Sequence, residues 1–551
     1  MSDQASSIRH SKVTYKNAGD PLSNVIHDWP HVVSLMIPVR QLCTLLLGIS
    51  LLSGCTLPSL EGRTISTALP QTQAKSTTLG RAIAQQVSVD VDKSKSGIVA
   101  LADPYDAFAA RILLARTAEK TLDVQYYIWH GDITGTLLLD ALREAASRGV
   151  KVRLLLDDNG TAGLDTELAA LDTDPNIEVR LFNPFIVRSP KALGYLTDFS
   201  RANRRMHNKS FTADNQATIV GGRNVGDEYF GATEGVLFAD LDVFAIGPIV
   251  NSVSSDFDKY WASESAYPTD RILPSVEPSR LTEITAAATS LERSPAATRY
   301  ISAIRESSFL TRLLQNKLTF EWAHTRMVSD DPAKGLGEVK SSGLLITQLG
   351  DILGKPVHNL DLVSPYFVPT AAGVDTFTQI ANSGVRLRVL TNALEATDVA
   401  AVHAGYAKRR KDLLKAGVVL YEMRRTADEG KRNESAGPFG SSGSSLHAKT
   451  FGVDQSRTFV GSFNFDPRSA HLNTELGFVI DSPKMAGQID EAFTTKIPER
   501  AYEVHLSDND QLYWLELRDG IQVRHDSEPG VTLFQRATVS LLSILPIEWL
   551  L

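Results

Sequence analysis

The apolar and polar positions along the chain predict a regular alternation of strands and helices. Residues 122–129 form a largely apolar run that favours a strand, and residues 135–147 carry apolar side chains at helical spacing. A continuous apolar run at 150–156, after the helix-ending pair 148–149, is typical of a buried parallel strand. Together with a helix that we expect to begin near residue 106, this stretch predicts a βαβ unit.

The same order of elements recurs in the second part of the chain. Residues 360–367 and 385–390 favour strands, and residues 373–382 between them favour a helix. A repeat on this scale indicates internal duplication. We therefore predict an α/β protein with a first half at 99–265 and a second half at 341–551.

Two other segments lack this alternation. Residues 266–340 have apolar side chains at helical spacing, which predicts a helical connector between the halves. Residues 55–98 are rich in Ser, Thr and Gln and show little apolar periodicity, so we expect a tether there.

A short apolar segment, residues 42–52, follows Arg40 and leads into Leu-Ser-Gly-Cys, which ends at Cys55. It is too short to span a bilayer comfortably, and it has the basic, apolar, small-residue order of a secretory signal. Its ending resembles a bacterial lipobox, which implies that residues 1–54 are removed and that Cys55 is lipidated. Met36 is the start that gives such a signal its ordinary length. The alternative is a buried segment in which Cys55 is simply a small hydrophobic residue.

The composition fits this organisation and excludes some classes of function. The 551 residues are too many for one ordinary core, and the hydrophobic fraction of 43% is that of a globular protein. The formal net charge of −8 provides no overall basic surface for nucleic acid. The two cysteines, Cys43 and Cys55, lie together near the N-terminus, so we expect no disulfide framework.

A short motif, H-x-K-x4-D-x6-G-[GS]-x-N, occurs once in each half. The first copy contains His207, Lys209, Asp214 and Asn224. The second copy keeps the same spacing, with His447, Lys449, Asp454, Ser462 and Asn464. Alternation along a strand places the His and Lys of each copy on one face. Each copy therefore presents an imidazole beside an ammonium group.

This pairing suits attack on a phosphate ester. A neutral imidazole is a competent nucleophile near neutral pH, and a lysine compensates the negative charge that makes phosphodiesters resist attack. With two copies, one histidine can attack phosphorus while the other protonates the leaving alkoxide. We count Asp214 and Asp454 among the catalytic residues, where they either hold the strand ends or orient an imidazole.

Twin motifs of this form resemble those of the phospholipase D superfamily. Four further stretches carry a closer likeness: Tyr-Tyr-Ile-Trp at 126–129, Leu-Leu-Leu-Asp-Asp-Asn at 154–159, the run at 176–185, and Gly-Gly-Arg-Asn-Val-Gly-Asp-Glu-Tyr at 221–229. They are similar to the bacterial cardiolipin synthase branch, in particular to its C-type members. The likeness extends from about residue 103 to the C-terminus, and departs from part of that branch in the lipoprotein-like N-terminus and in lacking two transmembrane-length segments.

The resemblance implies both a fold and a mechanism. The fold would be two tandem phospholipase D-like α/β/α sandwich halves related by duplication, with one active site at their interface. His207 would be the nucleophile and His447 the acid and base, although the reverse assignment stays open because the sequence is symmetric. Lys209 and Lys449 would supply the positive charge, so no metal ion and no other cofactor is expected.

The resemblance also marks residues around the substrate. An amide that follows each motif can donate to a phosphoryl oxygen, and a serine hydroxyl adds a donor in one copy, where the other has Gly222. An acid at the start of the next apolar strand commonly holds a histidine through Nδ1 in this family. The residues concerned are Asn224, Asn464, Ser462, Glu475 and Asp240.

The implied activity is transfer of a phosphatidyl group between phospholipids at a bacterial membrane surface, through a phosphohistidine intermediate. A hydrolytic phospholipase D is the alternative, since water can discharge the same intermediate. A nuclease is disfavoured because the chain is acidic and carries both motifs, and we expect no nucleic-acid partner. A non-enzymatic lipid-binding role would require a decayed motif. The choice of membrane and the need for a helper protein are left open.

Three surfaces have more than one interpretation. Arg201, Arg204 and Arg205 precede His207 and form either a lipid-phosphate site or a solvated face. Residues 428–445 are rich in Gly and Ser and form either a gate or a plain surface loop. The apolar residues 541–551 either contact a membrane interface or dock on the protein itself.

Overall fold

The computed structural model describes residues 57–87, 92–231, 240–397, 399–425 and 446–551. Within it, Leu57–Leu551 forms one compact unit. The predicted signal region 1–54, Cys55 and the glycine- and serine-rich segment 428–445 lie outside the described residues. In the described part of the chain, no helix combines the length and the apolar character needed to cross a bilayer.

The first half is built on a sheet of nine strands in the order β8-β4-β3-β2-β5-β6-β7-β1-β9. β2, β3 and β4 are parallel, and the remaining neighbours pair antiparallel. The strands are β1 (Ser96–Leu101), β2 (Thr121–Ile128), β3 (Lys151–Gly160), β4 (Ile177–Phe182), β5 (Ser210–Ala213), β6 (Ala217–Gly221), β7 (Asp242–Ile246), β8 (Ala266–Pro268) and β9 (Glu321–Ala323).

The second half repeats this arrangement in a sheet of ten strands, in the order β10-β16-β15-β14-β11-β12-β13-β17-β18-β19. The run β13-β12-β11-β14-β15-β16 corresponds to β4-β3-β2-β5-β6-β7, which confirms the predicted duplication. The strands are β10 (Thr325–Ser329), β11 (Asn359–Val363), β12 (Arg386–Asn392), β13 (Val419–Met423), β14 (Lys449–Val453), β15 (Arg457–Gly461), β16 (Leu476–Ile480), β17 (Ala501–Leu506), β18 (Leu512–Arg518) and β19 (Ile521–His525).

Helices cover both faces of each sheet, as an α/β/α sandwich requires. Those up to residue 262 are α1 (Gln71–Ala74), α2 (Thr78–Gln86), α3 (Pro104–Thr117), α4 (Ile133–Ser147), α5 (Asp165–Leu171), α6 (Gly194–Thr197), α7 (Phe199–Ala202), α8 (Asp227–Phe230) and α9 (Pro248–Ala262). The connector carries α10 (Arg280–Glu292), α11 (Thr298–Glu306) and α12 (Phe309–Leu314).

The second half contains α13 (Leu345–Leu353), α14 (Thr370–Asn382), α15 (Ala400–Ala407), α16 (Arg410–Lys415), α17 (Pro467–His471), α18 (Pro483–Thr494), α19 (Lys496–Arg500) and α20 (Leu533–Ile544). Single 3-10 turns lie at Lys191–Leu193, Thr269–Arg271, Pro295–Ala297, Pro332–Leu336, Ser341–Gly343 and Glu548–Leu550. After the duplicated helices α4 and α14, Gly149 and Gly384 have φ values of +89° and +90°, a left-handed conformation that glycine adopts without strain.

The two sheets share a hydrophobic cluster, which makes the halves one body. Val220 and Val243 of the first sheet pack in this cluster with Val460 and Phe478 of the second, and all four are buried. Because interiors pack densely, this shared core fixes how the two sheets pack against each other.

The connector differs from the prediction. Its three helices are as expected, but residues 266–340 also contain β8, β9 and β10. β9 pairs with β1 of the first sheet, and β10 pairs with β16 of the second. The connector therefore extends both sheets instead of only joining them.

The predicted tether also differs from the structure. Within residues 57–87, Leu69, Leu79 and Ile83 are buried against the first half. Arg63 donates to the carbonyl of Ser263, and the Thr77 side chain accepts from Gly80 N and begins α2. The polar side chains that suggested a tether cap this segment and bind it to the body, a role that composition does not reveal.

Asp214 and Asp454 hold the ends of strands. Asp214 accepts from the backbone N–H groups of Glu119, Lys120 and Thr121 at 3.0, 2.7 and 3.0 Å. Asp454 accepts from those of residues 357–359 at 3.0, 2.7 and 3.1 Å. We call each set a strand clamp, because it fixes the start of β2 or β11 beside the motif strand. Among the described residues these contacts fit the first of the two expected roles, holding the strand ends, and a part of either aspartate in catalysis stays a prediction.

We predict that Asp214→Asn lowers the free energy of unfolding by about 2 kcal/mol, because three charge-assisted hydrogen bonds are weakened. Asparagine tolerates the left-handed conformation at this position, where φ is +52°, so the backbone is preserved. Urea unfolding followed by circular dichroism measures the change.

Asp519→Asn is the matched control, since Asp519 is also left-handed, with a φ of +51°, but is exposed. Its stability should change little. A loss for Asp214→Asn no larger than that of the control would contradict the strand clamp.

Candidate active site

Both motif histidines lie just before their strands. β5 begins at Ser210 and β14 at Lys449, so His207 and His447 are outside the strands that the motif pattern predicted. The reason is visible at His207, whose backbone N–H donates at 2.8 Å to the carbonyl of Thr474 in the other half. The approach to the first motif strand therefore pairs across the interface.

Each histidine is held by a carboxylate from the opposite half. His207 Nδ1 lies 3.2 Å from Glu475 Oε1, and His447 Nδ1 lies 2.6 Å from Asp240 Oδ2. Both carboxylates are buried, whereas the imidazoles keep 15% and 12% of their side-chain surface exposed. We call these two contacts the crossed pairs. The structure thus brings Glu475 and Asp240 to the histidines, as expected, and assigns each acid to its partner.

In the crossed pairs the imidazoles are neutral and the carboxylates are charged, because burial outweighs the pull of each carboxylate on the pKa of its histidine. Burial lowers the pKa of His207 to about 4, and Glu475 opposes this effect without overcoming it. Burial together with the charge of Lys449 lowers the pKa of His447 to about 4. Burial alone would raise the pKa of Glu475, but the charges and hydrogen bonds around it keep the pKa below its usual value. Nδ1–H of each imidazole therefore donates to the carboxylate, and Nε2 keeps its lone pair.

Asn473 faces the reactive nitrogen of His207. Its Nδ2 lies 3.2 Å from His207 Nε2, while its Oδ1 accepts from Arg205 N at 3.3 Å and from Arg468 at 3.4 Å. These acceptor contacts orient the amide, so its N–H points at the imidazole. Sequence reasoning missed this role, although Asn473 directly precedes the Thr474-Glu475 pair.

The two motif lysines are buried beside the histidines. Lys209 Nζ donates to the carbonyl of His207, and Lys449 Nζ donates to the carbonyl of His447. Burial lowers the pKa of Lys209 to about 8, against the pull of Glu475 and Asp240. At neutral pH Lys209 is still mostly protonated, so it supplies the positive charge expected of the motif.

A tyrosine of the first half lies against each imidazole. The ring of Tyr127 is 4.0 Å from that of His207, and the ring of Tyr229 is 5.1 Å from that of His447. Lys209 Nζ also lies 5.6 Å from the Tyr127 ring. Both tyrosines belong to stretches that carried the resemblance, but no spacing singled them out.

The residues expected to bind substrate divide into two groups. Asn224 Oδ1 accepts from Ile128 N at 3.2 Å, and the Ser462 hydroxyl bonds with the backbone of Leu476 at 3.0 Å, so both have a structural role. Asn464 is buried, and its Oδ1 has no hydrogen-bond partner within the described ranges. Substrate binding by the three residues stays a prediction.

The difference between Gly222 and Ser462 has a steric cause. A Cβ at Gly222 would lie 2.1 Å from Asp240 Oδ1, so only glycine leaves room for the carboxylate that holds His447. In the other copy, Ser462 stands beside the longer Glu475 and contributes to lowering the pKa of that acid. The glycine of the first copy thus leaves room for Asp240, and the serine of the second copy forms a hydrogen bond with Glu475.

The arginines before His207 are engaged within the protein. Arg205 pairs with buried Asp157 at 3.2 Å, Arg201 pairs with Asp198 at 2.6 Å, and Arg204 donates to a backbone carbonyl at 3.1 Å. These contacts do not support a lipid-phosphate site formed by the three residues.

One described cluster has the composition of a metal site. His130, Asp132 and Glu228 offer ligand atoms within 4.8 Å of one another. His130 Nδ1 already pairs with Glu228 at 3.1 Å, and Asp132 accepts from Gly135 N at 3.0 Å. Sequence spacing did not reveal this cluster because Glu228 is distant in the chain. The expectation of a reaction without a metal remains a prediction.

We predict that His207 and His447 keep their reactivity toward diethyl pyrocarbonate down to about pH 4, because only the neutral imidazole reacts and their pKa is lowered to about 4. His130 is the internal control. Its hydrogen bond to Glu228 raises its pKa above the ordinary histidine value of 6.5. As the pH falls, His130 should therefore lose its reactivity before the pH reaches 6.5. Peptide mass spectrometry at each pH measures all three rates. Loss of reactivity at a common pH would contradict the prediction.

Comparisons with known proteins agree with this geometry. A family model described as "Cardiolipin synthase, PLD-like domain" matches residues 112–261 and 349–497, one match in each half. Cardiolipin synthase C of Escherichia coli (strain K12) is 50% identical over 455 residues, which cover 83% of this chain and 96% of that protein. The major cardiolipin synthase of Bacillus subtilis (strain 168) is 25% identical over 76% of this chain and 73% of its own length.

Among solved structures, phosphatidylserine synthase of Haemophilus influenzae Rd KW20 has a TM-score of 0.50 and 15% identity, covering 77% of this chain and 91% of that one. This likeness supports the two-half phospholipase D-like fold. The family match extends over more than half of the chain and includes both motif strands. The chain therefore belongs to the cardiolipin synthase family of phospholipase D-like proteins.

Proposed function

We propose that the chain is a phosphatidyltransferase of the cardiolipin synthase type, which moves a phosphatidyl group from one phospholipid to another. The observation that carries this proposal is the crossed pairs, in which two neutral imidazoles are each held at Nδ1 and keep Nε2 for chemistry. The 50% identity with a cardiolipin synthase supports the same reaction class.

In the first step His207 Nε2 attacks the phosphorus of the donor lipid. The N–P bond forms and the P–O bond to the headgroup alcohol breaks. His447, which takes up a proton from solvent at Nε2 when the anionic phosphate binds beside it, gives that proton to the leaving alkoxide. Lys209 and Lys449 are placed to offset the charge that builds on the phosphoryl oxygens. The product of this step is a phosphatidyl-histidine and a free alcohol.

In the second step the hydroxyl of an acceptor lipid replaces the departed alcohol. His447 takes the hydroxyl proton, the new P–O bond forms, and the N–P bond to His207 breaks. Both histidines return to their starting protonation states. The two steps together exchange one phosphate ester for another, and they need no electrons and no external cofactor.

The different contacts of the histidines support His207 as the nucleophile. The 2.6 Å contact between His447 and Asp240 is the shorter crossed pair and suits a residue that becomes a cation when it accepts a proton. His207 has the longer contact of 3.2 Å, and its Nε2 lies against the amide of Asn473. The amide N–H of Asn473 is a neutral donor, so its hydrogen bond requires a lone pair on His207 Nε2. That lone pair is the one that attacks phosphorus.

We further propose that the protein works at a bacterial membrane, held by lipidated Cys55 after residues 1–54 are removed. The lipobox-like ending at Cys55 supports this anchor. Phospholipids are then both donor and acceptor, and the roles of Asn224, Asn464 and Ser462 near the phosphate belong to the same proposal.

We predict that His207→Ala and His447→Ala each lower the rate by at least about three orders of magnitude, and that the double variant is hardly slower, because the two residues act as a unit. With His447→Ala the phosphatidyl group should remain on His207, where mass spectrometry detects it. His358→Ala, at an exposed histidine, is the control and should keep full activity. An adduct on His447 in the His207→Ala variant would reverse the assignment.

We also predict that the purified protein makes cardiolipin in mixed micelles of phosphatidylglycerol and phosphatidylethanolamine and releases glycerol or ethanolamine. Thin-layer chromatography of labelled lipid follows the product. Accumulation of phosphatidic acid alone, even at low water activity, would refute the transferase and indicate a hydrolytic phospholipase D. The identity of the released alcohol reports the donor lipid.

A further inference from the structure

Large exposed apolar side chains are concentrated in two places. The first apolar patch consists of Leu193, Leu196 and Phe199, which are 46%, 82% and 44% exposed, beside α6 and α7. The second apolar patch lies on α20 and the turn that follows it, with Phe534, Leu541, Ile544 and Trp549 at 81%, 65%, 78% and 61%. Patches of this kind on a soluble body mark interaction surfaces.

Helix α20 is apolar on two opposite faces. Val539 and Leu542 pack with Leu394 and Ala404 of the body, so the inner face is already covered. Phe534, Leu541 and Ile544 recur at helical spacing on the outer face. An amphipathic helix needs one apolar face to dock, and the second apolar face of α20 stays exposed in the part of the chain that the structure describes.

The second patch is connected to the active site by a short series of contacts. Arg468 donates to the carbonyl of Leu550 at 3.2 Å and to Asn473 Oδ1 at 3.4 Å. Asn473 Nδ2 in turn lies 3.2 Å from His207 Nε2. The turn that carries Trp549 is therefore separated from the proposed nucleophile by two side chains.

The first patch reaches the same histidine from another side. Tyr195, which lies between Leu193 and Leu196 in the chain, donates to Asn159 at 3.1 Å. Asn159 donates to the Tyr127 hydroxyl at 3.3 Å, and the Tyr127 ring lies 4.0 Å from that of His207.

The guanidinium of Arg468 joins the two patches. Arg468 donates to Asn203 at 2.8 and 2.7 Å, directly after α7, and also to the carbonyl of Leu550. The element that carries the first patch and the turn that carries the second thus meet beside His207.

We propose that the two patches form one membrane-contact surface, which seats the part of the body beside His207 on the lipid bilayer. This inference rests on the proposed function, because a phosphatidyl donor must reach His207 while its acyl chains stay in an apolar medium. The charged residue within 529–547 is Arg536. The carboxylates next to Trp549 and Phe199, Glu548 and Asp198, are paired with Arg409 and Arg201, which offsets their repulsion from an anionic lipid surface. Trp549 suits the interfacial depth of a bilayer.

The test uses the compact unit Leu57–Leu551, which excludes the apolar run 42–52 and Cys55, so only the folded body can bind vesicles. One variant combines Phe534→Ser, Leu541→Ser and Ile544→Ser, and a second combines Leu193→Ser and Leu196→Ser. The matched control combines Val357→Ser and Ile521→Ser, at positions that are 64% and 69% exposed but outside both patches.

Flotation with phosphatidylglycerol–phosphatidylethanolamine vesicles should show partition at least about tenfold weaker for each patch variant and unchanged for the control, because each apolar side chain that enters lipid contributes to binding. Turnover on vesicles should fall in parallel. Turnover on a short-chain phosphatidylglycerol below its critical micelle concentration should stay at the wild-type rate, since a monomeric lipid needs no docking surface.

Equal flotation of patch variants and wild type would overturn the proposal. So would an equal loss of turnover on vesicles and on monomeric lipid, because the patches would then serve the fold or the catalytic step. A change from dimer to monomer by light scattering, with vesicle binding unchanged, would assign the surface to a second copy of the chain. If the wild-type protein binds vesicles through the patches but forms no cardiolipin, the proposed function is refuted, whereas the proposed membrane-contact surface is not.

Discussion

Two carboxylates cross from their own half to hold an imidazole of the other, and the geometry of the site depends on them. Glu475 and Asp240 are buried, so each needs a polar partner in return for its lost hydration. His207 and His447 provide that partner only when the halves are docked in a single register. Removing the imidazole of such a pair leaves a buried carboxylate short of one hydrogen bond, at a cost of about 1.5–3 kcal/mol. The contacts that orient the imidazoles for chemistry therefore form only when the interface between the halves is assembled.

Residues of the connector also orient Glu475, the acid of one crossed pair. Glu475 N donates to Asp330 at 2.9 Å, and Asp330 pairs at 2.9 Å with buried Lys334. Lys334 also donates to the carbonyl of Ser469, whose hydroxyl donates to Glu475 Oε1 at 2.8 Å. Residues that join the two halves in the chain thus also orient the acid that holds His207. A metal ligand or a nucleophile is commonly fixed in this way by groups that never touch the substrate.

Much of this fold follows from local patterns in the sequence, and the remainder from contacts between distant residues. Apolar periodicity predicted the βαβ unit of each half, and the motif spacing located His207 and His447. The acid that each histidine receives depends on how the halves dock, which no local pattern encodes. The predicted tether failed because side chains such as Thr77 serve as helix caps as readily as they favour disorder. The role of Asn473 was missed since two of its partners, Arg205 and His207, lie in the other half, 268 and 266 residues away in the chain.

The close approach of Gly222 and Asp240 has a consequence for the history of the chain. Duplicated segments can exchange sequence, and copying the second motif over the first would place a serine at position 222. Its Cβ would occupy the space of the Asp240 carboxylate, which lies 2.1 Å from that point. The damage would appear at His447, in the copy that had not changed. Repeats that began as equivalent have therefore become complementary, and selection on one copy acts through the side chains of its twin.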